Sequence, residues 1–148
     1  MQFEPKDPDY QSKVRDSFSR QTFMEYIGGK LTKLEPGRCE LQLPFDENLT
    51  QQHHYFHAGV IGALADTAGG YAAFSLMPAD ASVLTVEYKI NLMAPGDGDR
   101  LIARATVLKP GRTLTVCKVE VYAAKDNTES LVASVQMTVM TMRGKPDY

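Results

Sequence analysis

Apolar residues recur along this chain with two different periods, and the switches between them outline its elements. Over residues 8–27, Tyr10, Val14 and Phe18 stand four apart, and Phe23, Tyr26 and Ile27 continue the stripe. That spacing predicts an amphipathic helix, stopped by Gly28-Gly29. Residues 30–44 predict a hairpin, with Leu31 and Leu34 on one arm, a turn at Glu35-Pro36-Gly37, and Cys39, Leu41 and Leu43 alternating on the other. A polar loop carrying His53, His54 and His57 follows. Residues 58–77 are apolar nearly all round, the signature of a helix enclosed by other structure, with Pro78 to end it. Its many Gly and Ala residues cost helix propensity but let a sheet come close to the backbone.

Period two then takes over. Leu84, Val86, Tyr88, Ile90 and Leu92 alternate with Thr85, Glu87, Lys89 and Asn91, and further strands are predicted over 101–108, 114–123 and 131–142. Turns fall at Pro95-Gly96, at Lys109-Pro110-Gly111-Arg112 and at Lys125-Asp126-Asn127. The order α-ββ-α-ββββ predicts an α+β fold, an antiparallel sheet wrapped around one long central α-helix. At 148 residues the expectation is one domain, 1–148, with residues 1–29 as an N-terminal helical extension.

Composition narrows the function classes. Hydrophobic residues make up 43% and charged residues 23%, which excludes a disordered chain. A net charge of −2 offers neither a nucleic-acid groove nor a polybasic membrane anchor. The longest apolar stretch is interrupted by Asp66, a costly residue at the centre of a membrane span. The first ten residues carry acids and prolines where a signal peptide needs an apolar run, so a cytoplasmic protein is expected. Cys39 and Cys117 lack a C-x-x-C partner and read as two buried thiols in a reducing compartment, with one disulfide as the alternative.

Four features could carry chemistry. Asp66 sits inside the apolar helix, where an aspartate is either paired with a hydroxyl or amide for structure, or held at a pocket edge as a general base or nucleophile. The helix start at His57-Ala58-Gly59 offers free amides at the positive end of a dipole, a ready oxyanion hole, or else an ordinary close-packed helix start. Three histidines in five residues lack the further ligand and spacing of a zinc site, so no metal is expected. The turn at Lys109-Pro110-Gly111-Arg112, with Lys89, Arg100 and Arg104, could bind phosphates or could simply be solvated. Tyr71, Phe74 and Met77 could shape a pocket, although such positions are ordinarily core.

Taken in order, the runs H-A-G-V-I-G-A-L-A-D-T-A-G-G-Y-A-A, T-V-E-Y-K-I-N-L-M-A-P, G-D and K-P-G-R-T-L-T-V resemble the hotdog-fold acyl-CoA thioesterases of the PaaI-like, phenylacetate-degradation type. The resemblance covers roughly residues 30–142. It implies hydrolysis of an acyl-CoA to a free acid and coenzyme A, with no cofactor. The catalytic carboxylate implied is Asp66, nine positions after His57, and the backbone N–H implied for the oxyanion hole is that of Ala58. Ala58 departs from the family's first glycine, while Gly59 keeps the second. Gln51 matches an amide side chain that, with His57, fixes the carbonyl and the loop, and Thr85 matches a hydroxyl that orients water. Gly59, Lys109, Gly111 and Arg112 are the implied substrate-binding positions, the turn residues on the coenzyme A phosphates. A homodimer or a homotetramer built as a dimer of dimers is implied, with active sites at the subunit interface. Two alternatives differ in class. A hotdog hydratase or dehydratase would want a differently spaced histidine with an acidic partner, and a non-catalytic acyl-CoA binding protein would have no use for a carboxylate at position 66.

Overall fold

The computed structural model describes residues 3–145 and 147; Met1, Gln2, Pro146 and Tyr148, within the expected 1–148 domain, lie outside the described residues. Two short helices, α1 (Tyr10–Ser19) and α2 (Thr22–Ile27), precede a hairpin of β1 (Lys30–Glu35) and β2 (Arg38–Pro44). A single 3₁₀ turn, Glu47–Leu49, leads to the central helix α3 (Ala58–Phe74). Strands β3 (Ala81–Leu92), β4 (Arg100–Lys109), β5 (Leu114–Lys125) and β6 (Thr128–Arg143) complete the chain. All six strands form one antiparallel sheet in the order β1-β2-β4-β5-β6-β3. This is the α+β arrangement that the order of periods predicts.

The sheet closes over α3 because both surfaces are apolar where they meet. Alternate residues of the inner strands point inward, and Leu41, Leu43, Leu101, Val119, Val121 and Val139 are fully buried against Leu64, Ala65, Ala68 and Phe74 of the helix. Close approach depends on Gly69, where a Cβ would collide with Met137 Sδ. The β5–β6 hairpin turns on Asp126 and Asn127, both with positive φ (48° and 65°), a two-residue turn that suits the sheet's twist. Leu31 and Leu34 are three apart rather than two, and a register shift between Leu31 and Lys33 accommodates that spacing. Lys13 ties α1 to the end of α3. Its Nζ donates to Met77 O (2.9 Å) and Pro78 O (3.1 Å), pairs with Asp7 (3.1 Å) and lies 4.7 Å from the Phe74 ring centroid. Cys39 and Cys117 are buried free thiols, and burial pushes both up to about 12. Among the described residues no helix is long and apolar enough to cross a membrane.

Three local expectations need correction. The helix expected over 8–27 is two helices, because Gln21 is extended (φ −84°, ψ 90°). On one straight helix Val14 and Ile27 would project about 140° apart; the break lets both reach the core, at 0% and 7% exposure, and leaves Phe23 and Tyr26 in solvent. Helix α3 ends at Phe74, three residues early. There the Ser75 hydroxyl donates to Ala72 O (2.7 Å) and accepts from the Gly37 N–H (2.8 Å), and Met77, preceding Pro78, is disfavoured in a helix. Finally, the alternation over β3 does not define one buried face. A bulge between Thr85 and Glu87 shifts the register against β6, so Thr85 faces α3 together with Tyr88, whose hydroxyl lies 3.3 Å from where a Gly62 Cβ would be. Leu84, Val86 and Leu92 are then half exposed on the edge strand.

Candidate active site

Asp66 lies midway along α3, on the side turned toward β3, and it is half-buried rather than enclosed. Its Oδ1 accepts from Thr85 Oγ1 at 2.8 Å. A hydroxyl donor at that distance holds the carboxylate in one orientation and leaves Oδ2 available. The pair sits at one end of a cleft of about 430 Å³. Thr67, Gly70 and Tyr71 of α3 form its floor, Val83, Leu84 and Thr85 of β3 one wall, and Ser17 of α1 with Arg20 and Gln21 of the link to α2, joined by Asp147, the other. Across the far end, the Tyr71 hydroxyl meets Ser17 Oγ and Gln21 Nε2, each at 3.2 Å. Burial pushes the Tyr71 phenol above its ordinary range, so it stays a neutral hydroxyl. Phe74 and Met77, in contrast, are plain core.

The start of α3 forms a second group. His57 caps the helix through Nδ1, which accepts from the Gly59 N–H at 2.9 Å. That bond requires an unprotonated Nδ1 and occupies the Gly59 amide. Among the described residues no group accepts from the Ala58 N–H, so the exposed helix start presents one free donor there. Gln51 is folded into its own loop, its side-chain oxygen accepting from the His53 N–H and its main chain pairing with Tyr55 and His54. Gln51 does not line the Asp66 cleft. Ala58 and Asp66 are eight residues apart on one helix, about 12 Å along its axis. Within one chain they cannot meet at a single carbonyl.

The third group lies elsewhere again. Pro110 and Gly111 line a small pocket with Ala73, Leu76 and Met77 at the C-terminal end of α3. A Cβ on Gly111 would collide with Leu114 O, so this glycine is required by the turn itself. Lys109 and Arg112 are exposed beside it. Arg104 is engaged on the outer sheet face, bidentate to Glu129 (2.6 and 2.9 Å) and bonded to Glu40 (2.9 Å). Among the described residues no group of three His, Cys, Asp or Glu side chains is placed to hold a metal.

Of the sequence-derived residues, the structure therefore brings Asp66, Thr85 and Tyr71 together around one cleft. His57, Ala58 and Gly59 share the helix start, Gln51 stands in the preceding loop, and Lys109, Gly111 and Arg112 share the distant turn. Ser17, Gln21 and Gly70 also line the cleft, and no motif in the sequence marks them. Nothing in the N-terminal stripe signals which helix it packs upon.

Comparison with known proteins meets this geometry from outside. The sequence profile of the Thioesterase superfamily matches residues 53–130, from the histidine loop into the start of β6. A solved thioesterase family protein from Silicibacter pomeroyi is 50% identical, with a TM-score of 0.90 over 91% of this chain and 99% of that one. The PaaI protein of the E. coli phenylacetic acid degradation operon is 20% identical and shares the fold, with a TM-score of 0.83 over 95% of this chain and 99% of its own. The 1,4-dihydroxy-2-naphthoyl-CoA hydrolase of Listeria monocytogenes is 27% identical over 115 residues, 78% of this chain and 91% of its own length. With the profile spanning more than half of the residues and the fold shared throughout, the chain belongs to the thioesterase superfamily as a hotdog-fold thioester hydrolase.

Proposed function

We propose that this protein hydrolyses an acyl-CoA thioester to a free acid and coenzyme A. The observation that carries the reading is the Asp66 carboxylate, aimed by Thr85 into a cleft large enough for an acyl group. Asp66 either takes a proton from water as the water oxygen attacks the carbonyl carbon, or attacks that carbon itself. In the first case the C–S bond of the tetrahedral intermediate breaks and the coenzyme A thiolate regains the proton from Asp66. In the second, the C–S bond breaks to give an acyl-aspartyl anhydride, which water then cleaves. Either path gathers negative charge on the carbonyl oxygen, and the free Ala58 N–H at the positive end of α3 suits that charge. Thr85 is a positioning residue; its proton is engaged on Asp66.

The 12 Å between Ala58 and Asp66 argues that a site takes its carboxylate from one subunit and its amide donor from a second copy. Strand β3 supports such a pairing. It is a sheet edge with an open row of backbone groups, and along it Leu84, Val86, Tyr88 and Leu92, with Met93 just beyond, are 45–54% exposed. A homodimer joined there, or a tetramer of two such dimers, covers that edge and completes two sites per dimer. Gln51 and His57 then shape the loop that delivers the Ala58 amide, and Lys109 and Arg112 are the basic groups for the coenzyme A phosphates. The unbonded thiols suit a reducing cytoplasm. The test is release of free thiol from short, medium, long and aromatic acyl-CoAs. Turnover of at least one series supports the reading, and none across all four overturns it.

A further inference from the structure

The neighbouring glycines of α3 meet opposite surroundings. A Cβ on Gly69 would collide with Met137 Sδ and press on Val119 Cγ2 at 3.1 Å. A Cβ on Gly70 would meet nothing within 4 Å, although the residue is buried. Close-packed interiors leave few such vacancies, and glycine is the poorer choice in a helix interior unless the backbone or a neighbour demands it. Within the chain neither demand exists at Gly70, which is helical and uncrowded. What the glycine preserves is the space itself. That space belongs to the cleft, one turn or about 6 Å beyond Asp66. It is faced by Val83 and Leu84 and closed beyond by the Ser17–Tyr71–Gln21 hydrogen bonds.

We propose that Gly70 sets the acyl selectivity of this site: the slot it leaves admits an acyl group that is bulky close to its carbonyl, a ring or a branch, while the Ser17–Tyr71–Gln21 cluster limits its length. The inference rests on the thioester-hydrolase reading, with Asp66 at the reacting carbon. The slot then lies a few bonds past that carbon, where a benzoyl ring is wide and a straight chain is narrow.

The test compares kcat/KM for benzoyl-CoA and butyryl-CoA in the wild type, Gly70→Ala and Gly70→Val, with melting temperature alongside. One misplaced methyl in a specificity pocket changes discrimination by about tenfold or more. The benzoyl-to-butyryl ratio falls about tenfold in Gly70→Ala and about a hundredfold in Gly70→Val, while Gly70→Ala melts no lower than the wild type. An unchanged or rising ratio overturns the proposal, as does a fall in melting temperature that accounts for the loss on both substrates. Equilibrium binding of the non-hydrolysable thioether analogues of the two substrates separates this inference from the reading beneath it. If the wild type turns over neither thioester but Gly70→Val still weakens only the benzoyl analogue, the hydrolase reading fails and the slot stands. If neither analogue binds the wild type, the slot fails as well.

Discussion

Replacing Thr85 by valine keeps the volume and branching of the side chain and removes only the hydroxyl that holds Asp66 Oδ1 at 2.8 Å. A hydrogen bond to a charged group contributes about 1.5–3 kcal/mol. Asp66 and Thr85 are both half-buried, so water can replace part of that bond, and the lower end, about 1.5 kcal/mol, applies. If the orientation is needed in the transition state, that energy appears in the barrier, about tenfold in kcat. KM changes little, because the hydroxyl's donor is directed at Asp66 and not at substrate. Thr85→Ser restores the donor without the methyl and recovers most of the rate. The assay is steady-state thiol release for the three proteins, with circular dichroism melting to confirm equal folding. A Thr85→Val enzyme with full kcat, or a Thr85→Ser enzyme no better than the valine variant, refutes the positioning role.

Two further outcomes follow from the assembly and the outlying turn. Val86→Glu places a charge at the centre of the exposed β3 edge, so light scattering should show a shift toward monomer and activity should fall in proportion, since each site would lose the second copy's helix start. Arg112→Ala should raise KM for acyl-CoA about fivefold with a smaller change in kcat, the signature of a solvent-screened charge contact. A thioester of pantetheine, which lacks the nucleotide phosphates, should be insensitive to that change; equal losses on both substrates would assign Arg112 to the turn's structure.

The elements that repeat a period were legible in the sequence, and those set by tertiary choices were not. The hairpin, the greasy helix and the four strands declare themselves by apolar spacing, and Asp66 stands out because a charge interrupts that helix. The bulge after Thr85 is invisible to alternation: a strict period of two puts Thr85 on the face opposite Tyr88, and only the register against β6 turns both toward α3. The break at Gln21 is hidden likewise, because residues 8–27 form a passable single stripe. Its two halves separate because the break lets Val14 and Ile27 both reach one core. That break also delivers Ser17 and Gln21 to the cleft, a contact across about fifty positions with no local signature. The distance from Ala58 to Asp66, in contrast, follows from residue numbers and helix rise alone.

The most direct test of the account is Asp66→Asn. The substitution keeps the side chain's shape and its oxygen acceptor for Thr85, and removes both the base and the nucleophile. With an acyl-CoA that the wild type hydrolyses, kcat should fall by about two to four orders of magnitude, the range for a positioned acid–base group, while the melting temperature and the binding of a thioether analogue stay close to wild type. Hydrolysis retained at the wild-type kcat per folded molecule, with a lowered melting temperature, would contradict the account and make Asp66 a structural carboxylate.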